Sequence, residues 1–416
     1  MPSVEGLGAR RAALQMLDAV LRRGQTLDSA SAHVRGLSPV DHALAVAISG
    51  EALRRLPDLD SLIDGSTRQR LPDDSKARMV LRLALAQKIG LSTPDHAVVA
   101  TALPLVDGGP RRLVHGVLGN LLRRGVPVND APRLSAAVEE RWRLAFGEET
   151  VEAARRQIAR RPALDLSFAQ SSEAKKYVAE HGGVSLAPGH VRIESSSVAA
   201  LPGFSEGLWW VQDLAASLPA RLIGDETKSV LDLCAAPGGK TMQLAASGHA
   251  VTAVDSSQSR LGRLQENLER THLAAELVHS DALQWKPDRA FDAILLDAPC
   301  SATGTFRRHP EVLLRARGDV IASNAEVQRK LLERASAWLK PGGILVYSVC
   351  SLEMQEGEDI IEGFLAANGG FDLEPGTGLP TFARPAGPGW IRILPGMLEE
   401  EGGLDGFFIA RLVRRS

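Results

Sequence analysis

The chain is poor in cysteine and has no long hydrophobic run. Its 416 residues include three cysteines, too few for a disulfide framework in a chain of this size, so we expect a reducing compartment. No apolar run reaches the roughly 18–20 residues that a membrane helix needs. The basic pair Arg10-Arg11 is not followed by the apolar segment of a signal peptide. These absences predict a cytoplasmic protein without membrane contact.

Metal-ligand spacing is also missing, and the overall charge is close to neutral. His33, His42, His96 and His115 lack the spacing of metal ligands, so we expect no metal site. The formal net charge of −2 gives no overall sign of a nucleic-acid partner. Residues 1–130, however, hold 17 Lys and Arg against 13 Asp and Glu. Arginine forks suit phosphates, although a GC-rich coding bias also raises the arginine content.

The length predicts two or three domains, and the periodicity predicts their classes. Residues 1–130 are amphipathic helices with short connections, which indicates an all-α bundle. Residues 131–225 mix helical and alternating stretches, which indicates a small α+β connector. Residues 226–416 alternate strands with helices, as in a parallel, doubly wound, Rossmann-like α/β domain.

The segment after the first strand of the third region has the small residues of a ligand-binding turn. It holds Gly238 and Gly239 but lacks the full G-x-G-x-x-G of a dinucleotide site. Gly239, Lys240 and Thr241 fit the end of a P-loop, but Cys234 stands where the leading glycine belongs. S-adenosylmethionine needs only a tight turn and acidic partners, so an S-adenosylmethionine site is the third hypothesis, beside a dinucleotide site and a P-loop.

Two carboxylates follow the next strands in the order that a nucleoside site requires. Asp255 ends the second strand and could accept hydrogen bonds from both ribose hydroxyls. Asp281 follows the third strand, where it could accept from the adenine amino group. A single aspartate at such a position is as often a helix N-cap. Two in this order favour S-adenosylmethionine as the cofactor.

Two cysteines follow the fourth and fifth strands, beside the same loop. Carbon 5 of cytosine becomes nucleophilic when a thiolate adds to carbon 6, and cysteine is the side chain best suited to that addition. Cys300 and Cys350 are the candidates. Asp297, three residues before Cys300, could accept from the cytosine amino group or stabilise the protonated ring. The second cysteine could assist removal of the carbon 5 proton or expulsion of the thiolate.

The motifs DLCAAPGGK, DAPCSATG and YSVCS resemble those of RsmB/Sun-type RNA cytosine-5 methyltransferases. The resemblance spans the chain. Residues 1–130 resemble the NusB-like RNA-binding domain of the bacterial 16S rRNA members, residues 131–225 their intermediate segment, and DGFFIARL their closing motif. It implies S-adenosylmethionine as cofactor, RNA, above all 16S rRNA, as partner, and methylation of carbon 5 of a cytosine through a cysteine–carbon 6 adduct.

The resemblance also assigns roles to individual residues. Cys350 matches the nucleophile, Cys300 the cysteine that promotes product release, and Asp297 the residue at the target base and the methionine end of the cofactor. The cofactor site would comprise Cys234, Ala235, Ala236, Pro237, Gly238, Gly239, Lys240, Asp255, Asp281 and Asp297. There are two departures. Ala302 stands where the family has glycine, so we expect a slightly altered loop. The segment beginning Arg-Arg-His-Pro lacks the family's following tryptophan, which puts substrate contacts there in doubt.

Several alternatives stay open. A DNA cytosine-5 methyltransferase would use Cys300 as nucleophile, but the cysteine of YSVCS favours Cys350. The substrate could be tRNA instead of rRNA. The chain could be an inactive RNA-binding assembly or antitermination factor, although the intact cysteine pair argues against this. A P-loop ATPase is a remote fourth possibility. We expect a monomer.

Overall fold

A computed structural model describes residues 6–194, 198–224, 226–377 and 379–416. The chain forms two compact units. The first comprises the chain up to Arg161 together with Phe306–Arg315, and the second comprises Pro162–Thr305 and Ala316–Ser416. None of the described helices is long and apolar enough to cross a membrane. The boundaries at residues 130 and 225 stay a prediction about independently folding parts, which limited proteolysis would test.

Sixteen helices run through the described ranges. They are α1 Leu7–Arg23, α2 Leu27–Ala32, α3 Pro39–Arg54, α4 Leu56–Asp64, α5 Lys76–Gly90, α6 Asp95–Ala102, α7 Gly108–Arg124, α8 Ala136–Phe146, α9 Glu148–Ala159, α10 Ser171–His181, α11 Leu218–Arg221, α12 Gly239–Ala246, α13 Gln258–Thr271, α14 Val312–Arg315, α15 Gly318–Ala337 and α16 Glu358–Ala367.

Twelve strands occur in the same ranges. They are β1 Leu164–Phe168, β2 His190–Ile193, β3 Trp209–Val211, β4 Ser229–Leu233, β5 Ala250–Asp255, β6 Glu276–His279, β7 Phe291–Asp297, β8 Leu339–Val349, β9 Phe371–Leu373, β10 Pro385–Ala386, β11 Trp390–Ile393 and β12 Phe407–Arg414.

The first unit is built from the amphipathic helices that the sequence predicted. In α1, Met16, Leu17 and Val20 are buried on one face, and the helix stops at Gly24, whose φ of 66° is left-handed. The faces of α1, α3, α5 and α7 share one apolar core. The prediction of an all-α bundle at the N-terminus is confirmed.

The second unit begins with a three-stranded antiparallel sheet of order β2-β1-β3, covered by α10. This sheet and helix are the α+β element predicted between the bundle and the Rossmann-like domain. Strand β2 is formed by the first four residues of the alternating stretch HVRIESSS. Residues 195–197 lie outside the described residues.

The larger sheet of the second unit has nine strands. Five are parallel in the order β6-β5-β4-β7-β8, and β12 pairs antiparallel with β8. Strand β11 then pairs antiparallel with β12. The strand order reverses direction at β4, and ligands of such sheets bind beyond the carboxyl ends of the strands on either side of that point. The prediction of a Rossmann-like α/β domain is confirmed.

Candidate active site

The loop after β4 is held in a tight turn by two left-handed residues. Cys234 has a φ of 60° and Gly238 a φ of 106°. A Cβ added to Gly238 would lie 2.1 Å from Cδ1 of Leu264, so only glycine fits there. Because Gly239 then begins α12, the backbone from Cys234 to Gly238 forms one wall of the space at the carboxyl end of β4.

A cavity of about 310 Å³ lies beside this loop. Its walls come from the ends of β4 and β5, the turn after β6, the loop after β7 and the facing side of α15. The lining residues are Cys234, Val254, Asp255, Ser256, Arg260, Ser280, Asp281, Ala282, Leu283, Pro299, Val327 and Leu331. The structure therefore brings Cys234 of the predicted loop together with both predicted carboxylates, Asp255 and Asp281.

Each of these carboxylates also holds a local turn. Asp255 accepts from the backbone N–H of Ala236 at 3.0 Å and from that of Ser257 at 2.9 Å. Asp281 accepts from the backbone N–H of Leu283 at 2.9 Å. Neither residue is the helix N-cap considered for such positions: Ser257 is the N-cap of α13, and no described helix begins directly after Asp281. Because a carboxylate offers about four acceptor positions, each can still accept from a ligand in the cavity.

The chemistry of the walls suits a nucleoside better than a polyphosphate. Two carboxylates and an apolar side of α15 face the space, and Arg260 is the one Lys or Arg among its lining residues. The Arg260 guanidinium also bonds to the Ala236 carbonyl. Hydroxyl and amino donors fit such walls. Lys240, the residue that a P-loop would aim at phosphates, has its ammonium on Asp297 instead.

The two cysteines after β7 and β8 meet at the edge of the sheet. These strands are parallel neighbours, with Asp297 in register with Ser348, so their following loops lie side by side. The Sγ atoms of Cys300 and Cys350 are 3.6 Å apart. The hydrogen bond to Cys350 and burial together raise the pKa of Cys300 well above its ordinary value. Cys300 therefore holds its proton more tightly than a free thiol, and either thiol can be the donor in the contact between the two sulfurs.

A partly buried ion pair lies next to the thiols. The Lys240 ammonium is 2.8 Å from Oδ2 of Asp297, whose Oδ1 accepts from the Ser348 hydroxyl at 2.9 Å. Burial lowers the pKa of Lys240, but the charge and hydrogen bond of Asp297 and the charge of Cys350 outweigh it, and the net shift is upward. Lys240 is thus a fixed positive charge that acts on both Asp297 and Cys350.

The third cysteine lies in a different electrostatic setting. Burial, then the charges of Asp297, Asp255 and Asp232, raise the pKa of Cys234 to about 12. A thiol with that pKa is almost never ionised near neutral pH, so Cys234 is unsuited to nucleophilic attack.

The loop that carries Cys300 is fixed from behind by Glu356. This buried carboxylate accepts from the Ser301 backbone N–H at 2.9 Å and from its hydroxyl at 2.5 Å. Ala302 has a left-handed φ of 56°, a conformation in which glycine is less strained than alanine. Ala302 thus holds the backbone conformation that glycine favours, and a loop altered relative to the family's stays a prediction.

Two glycines allow the backbone to cross closely at the end of this loop. Gly304 donates to the Cys350 carbonyl at 2.9 Å, and Gly406 donates to the Gly304 carbonyl at 2.8 Å. A Cβ on Gly304 would lie 2.0 Å from the Gly406 oxygen. The crossing joins the Cys300 loop, the strand end at Cys350 and the start of β12.

The Arg-Arg-His-Pro segment packs within the first unit. The buried ring of Phe306 has its centroid 5.4 Å from that of Trp142. Arg307 is 1% exposed, and its carbonyl accepts from Arg54 at 2.7 Å. Glu311 accepts from the Leu27 backbone N–H at 2.9 Å. Much of this segment therefore supports the helical fold.

Sequence reasoning missed four polar residues around the site. Ser348 and Glu356 were given no role. Gln328 occupies a core position on α15 and donates to the Pro299 carbonyl at 2.9 Å. Asp232 lies within an apolar strand. A polar residue among buried apolar neighbours is the signal that could have identified the last two. In the described part of the chain, no cluster of three or more His, Cys, Asp or Glu residues could hold a metal ion.

Comparison with known proteins gives two family matches. Residues 220–413 match the family described as 16S rRNA methyltransferase RsmB/F, and residues 7–123 match the NusB family. The chain is 34% identical to ribosomal RNA small subunit methyltransferase B of Vibrio cholerae serotype O1, over 98% of each chain. It is 35% identical to the protein of the same name from Xylella fastidiosa strain Temecula1, over 99% of each.

Two solved structures extend the comparison. The crystal structure of PH0851 aligns over 99% of each chain with a TM-score of 0.76 at 23% identity, a likeness of fold. A methyltransferase homolog protein from Pyrococcus horikoshii aligns with a TM-score of 0.57 and 29% identity, over 71% of this chain and 98% of that one.

Proposed function

The chain belongs to the RsmB/F family of 16S rRNA methyltransferases, and from that membership we propose that it methylates carbon 5 of a cytosine in 16S rRNA through a covalent adduct on Cys350. S-adenosylmethionine is the methyl donor. The observation that carries the proposal is the pair of thiols 3.6 Å apart beside the ammonium of a partly buried ion pair.

The surroundings of the two thiols favour Cys350 as the nucleophile. The contact with Cys350 and burial raise the pKa of Cys300, so in the proposed reaction Cys300 is the protonated partner that donates a hydrogen bond to the attacking Cys350 sulfur. The Lys240 ammonium adds positive charge from the other side. A thiolate is the reactive form of cysteine, so these two groups activate the same sulfur.

The addition step uses Cys350 and Asp297. The Cys350 sulfur forms a bond to carbon 6 of cytosine, the electrons of the carbon 5–carbon 6 bond become those of an enamine, and N3 takes a proton from solvent. Asp297 accepts a hydrogen bond from the protonated N3 or from the amino group. Lys240 and Ser348 hold the two oxygens of this carboxylate and so fix its direction. When bound, S-adenosylmethionine supplies an electrophilic methyl group that the enamine carbon takes up.

Release reverses the addition. A proton leaves carbon 5 to solvent water, the carbon 5–carbon 6 double bond re-forms, and the carbon 6–sulfur bond breaks with its electron pair returning to Cys350. N3 returns to solvent the proton that it took up in the addition. Cys300 is within hydrogen-bonding distance of the departing sulfur and still holds its proton. Its S–H therefore stabilises the leaving thiolate and favours product release.

The cavity beside the first loop is the proposed cofactor site. Asp255 would accept from the ribose hydroxyls and Asp281 from the adenine amino group, while the backbone from Cys234 to Gly238 would line the other side. Support comes from the acidic and apolar character of these walls. RNA is the proposed partner of the helical first unit, since residues 7–123 match the NusB family.

The reaction is tested by incubating the protein with tritium-methyl S-adenosylmethionine and unmodified 16S rRNA, with an unmodified tRNA pool in parallel. We expect label in 5-methylcytidine from the 16S rRNA digest. Label only in the tRNA digest would redirect the proposal to tRNA, and label in another nucleoside would overturn it. Absence of cofactor binding would support the inactive assembly factor.

The two cysteines provide matched variants with opposite outcomes. Cys350→Ala should lower turnover by at least about 1,000-fold, because the addition needs a thiolate, while cofactor binding is retained. Cys300→Ala should retain addition but slow release, so a covalent protein–RNA species should accumulate in a denaturing gel. An adduct in the Cys350 variant and none in the Cys300 variant would reverse the assignment.

A further inference from the structure

Helix α7 of the first unit has an exposed face that is rich in arginine and lacks carboxylates. Arg111 and Arg112 are exposed near its beginning, and Arg123 and Arg124 near its end. Residues 108–124 contain no Asp or Glu. Arg112 and Arg123 are 11 residues apart, about three turns and 16 Å along the axis, so they lie on the same face.

A groove of about 560 Å³ opens beside this face. It is formed by α7 and the segment after α4, and its walls are Ser66, Thr67, Arg68, Gln69, Leu71, Arg112, Leu113, Gly116 and Val117. A Cβ on Gly116 would meet nothing within 4 Å, so the centre of the groove is open to a partner. The groove thus combines two arginines, hydroxyl and amide donors, and a partly exposed leucine.

The arginines of this face are uncompensated. Within the described ranges, no carboxylate lies at ion-pair distance from Arg68 or from the four arginines of α7. The nearby carboxylates Asp64 and Asp73 are paired with Arg78 and Arg70. Arg111 and Arg112 also stand near the positive end of the helix dipole, where a cation is unfavourable. Their placement therefore weakens the isolated helix and is explained by an anionic partner.

We propose that this groove, with the arginine face of α7, binds the sugar–phosphate backbone of the RNA substrate. The proposal rests on the proposed function for the identity of that RNA. Arg68 and Arg112 contact phosphates from the two sides of the groove, and Arg123 contacts a phosphate farther along the helix. The Ser66 hydroxyl and the Gln69 amide at the rim donate to phosphate and ribose oxygens, so the surface positions the RNA without reading its sequence.

The test measures binding of an unmodified 16S rRNA transcript to the full chain by filter binding, between 50 and 200 mM salt and without cofactor. The Arg68→Ser, Arg112→Ser double variant should bind about tenfold more weakly, and its log-affinity against log-salt slope should be shallower by about 1 to 2, since two phosphate contacts are lost. The matched control is Arg22→Ser, Arg23→Ser, which removes the same charge from arginines already paired with Asp18. Its affinity should stay within about twofold.

A second pair of variants tests the groove itself. Gly116→Glu places a negative charge at its centre, where the structure has room, and should weaken binding; Gly116→Gln is the uncharged control and should weaken it less. Equal losses in the groove and control variants, or unchanged binding by the groove variants, would overturn the proposal. Because RNA binding is measured without methylation, the binding result can be interpreted even if the proposed cysteine mechanism is wrong. In turnover, the groove variant should raise KM for 16S rRNA and leave kcat unchanged.

Discussion

At the residue scale, Asp232 is a carboxyl group near the site whose ionisation is disfavoured by burial. Its side chain is fully buried in β4, Oδ2 accepts from the Thr241 hydroxyl at 2.6 Å, and Oδ1 has no hydrogen-bond partner among the described residues. Burial raises its pKa to about 7, with a further rise from the charge of Asp297. An unfolded aspartate titrates near 3.9, so the folded protein binds this proton more tightly than the unfolded chain.

This difference predicts a pH dependence of stability. Between about pH 4 and pH 7 the native state holds the Asp232 proton and the unfolded state does not, so the stability contributed by this group is present below that range and falls as pH rises through it. Asp232→Asn should flatten this part of the curve and be more stable than the parent at pH 8, by at least about 1 kcal/mol.

Thermal unfolding of the two proteins from pH 4 to pH 8 gives the difference directly, since all other titrating groups are shared. A variant whose curve runs parallel to that of the parent would show that Asp232 is ionised in the folded protein across the range.

The sequence identified most residues of the site but not their pairing. Cys300 and Cys350 were recognisable because strand ends in a parallel sheet share an edge, and the structure places their sulfurs 3.6 Å apart. Lys240 was assigned to the cofactor loop, whereas its ammonium lies on Asp297. The direction of a long side chain depends on tertiary charges, which residue spacing does not record. Their functional roles stay predictions.

At the scale of elements, the close crossing at Gly304 joins the catalytic loop to β12. Gly304→Ala should destabilise the protein by about 1 to 3 kcal/mol and lower turnover more than cofactor affinity, because the added methyl group meets the Gly406 carbonyl and pushes the Cys300 loop outward. Chemical denaturation and single-turnover assays give the two quantities.

The matched control for this substitution is Gly318→Ala, at the start of α15, where an added Cβ meets nothing within 4 Å. It should be neutral or slightly stabilising. Equal effects of the two substitutions would contradict the steric explanation.

The long elements were predictable, and the short ones were not. Strands such as β5 and β7 and helices such as α1 and α13 follow clear periodicities over many residues. Helices α2 and α14 and strands β3, β9 and β10 have two to six residues each. Over so few residues a period of 2 cannot be separated from one of 3.6, and tertiary packing decides the conformation.

At the scale of the whole molecule, the first unit is discontinuous along the chain. Phe306–Arg315 is separated from the rest of that unit by residues 162–305. Phe306→Ala should destabilise the first unit by about 3 to 5 kcal/mol, because it removes a buried ring packed on Trp142. Hydrogen exchange should show faster exchange of α8 amides.

Leu314→Ala is the control from the same segment, since its side chain is 37% exposed and should matter little. Unchanged exchange in the Phe306 variant would mean that the segment does not stabilise these helices. The packing of Phe306–Arg315 with the first unit was not predictable from the sequence, because local residue patterns do not indicate which distant element a segment contacts.

The discontinuity has a consequence during synthesis. When the ribosome has released the first 161 residues, the bundle still lacks the segment that covers Trp142 and accepts from Arg54. Residues 162–305 must be translated first, which takes about 7 to 29 s at about 5 to 20 residues per second. During that interval the nascent chain exposes Trp142 and Arg54 to solvent. The unit that is synthesised first is therefore completed late, and chaperones have access to it until Phe306–Arg315 has been made.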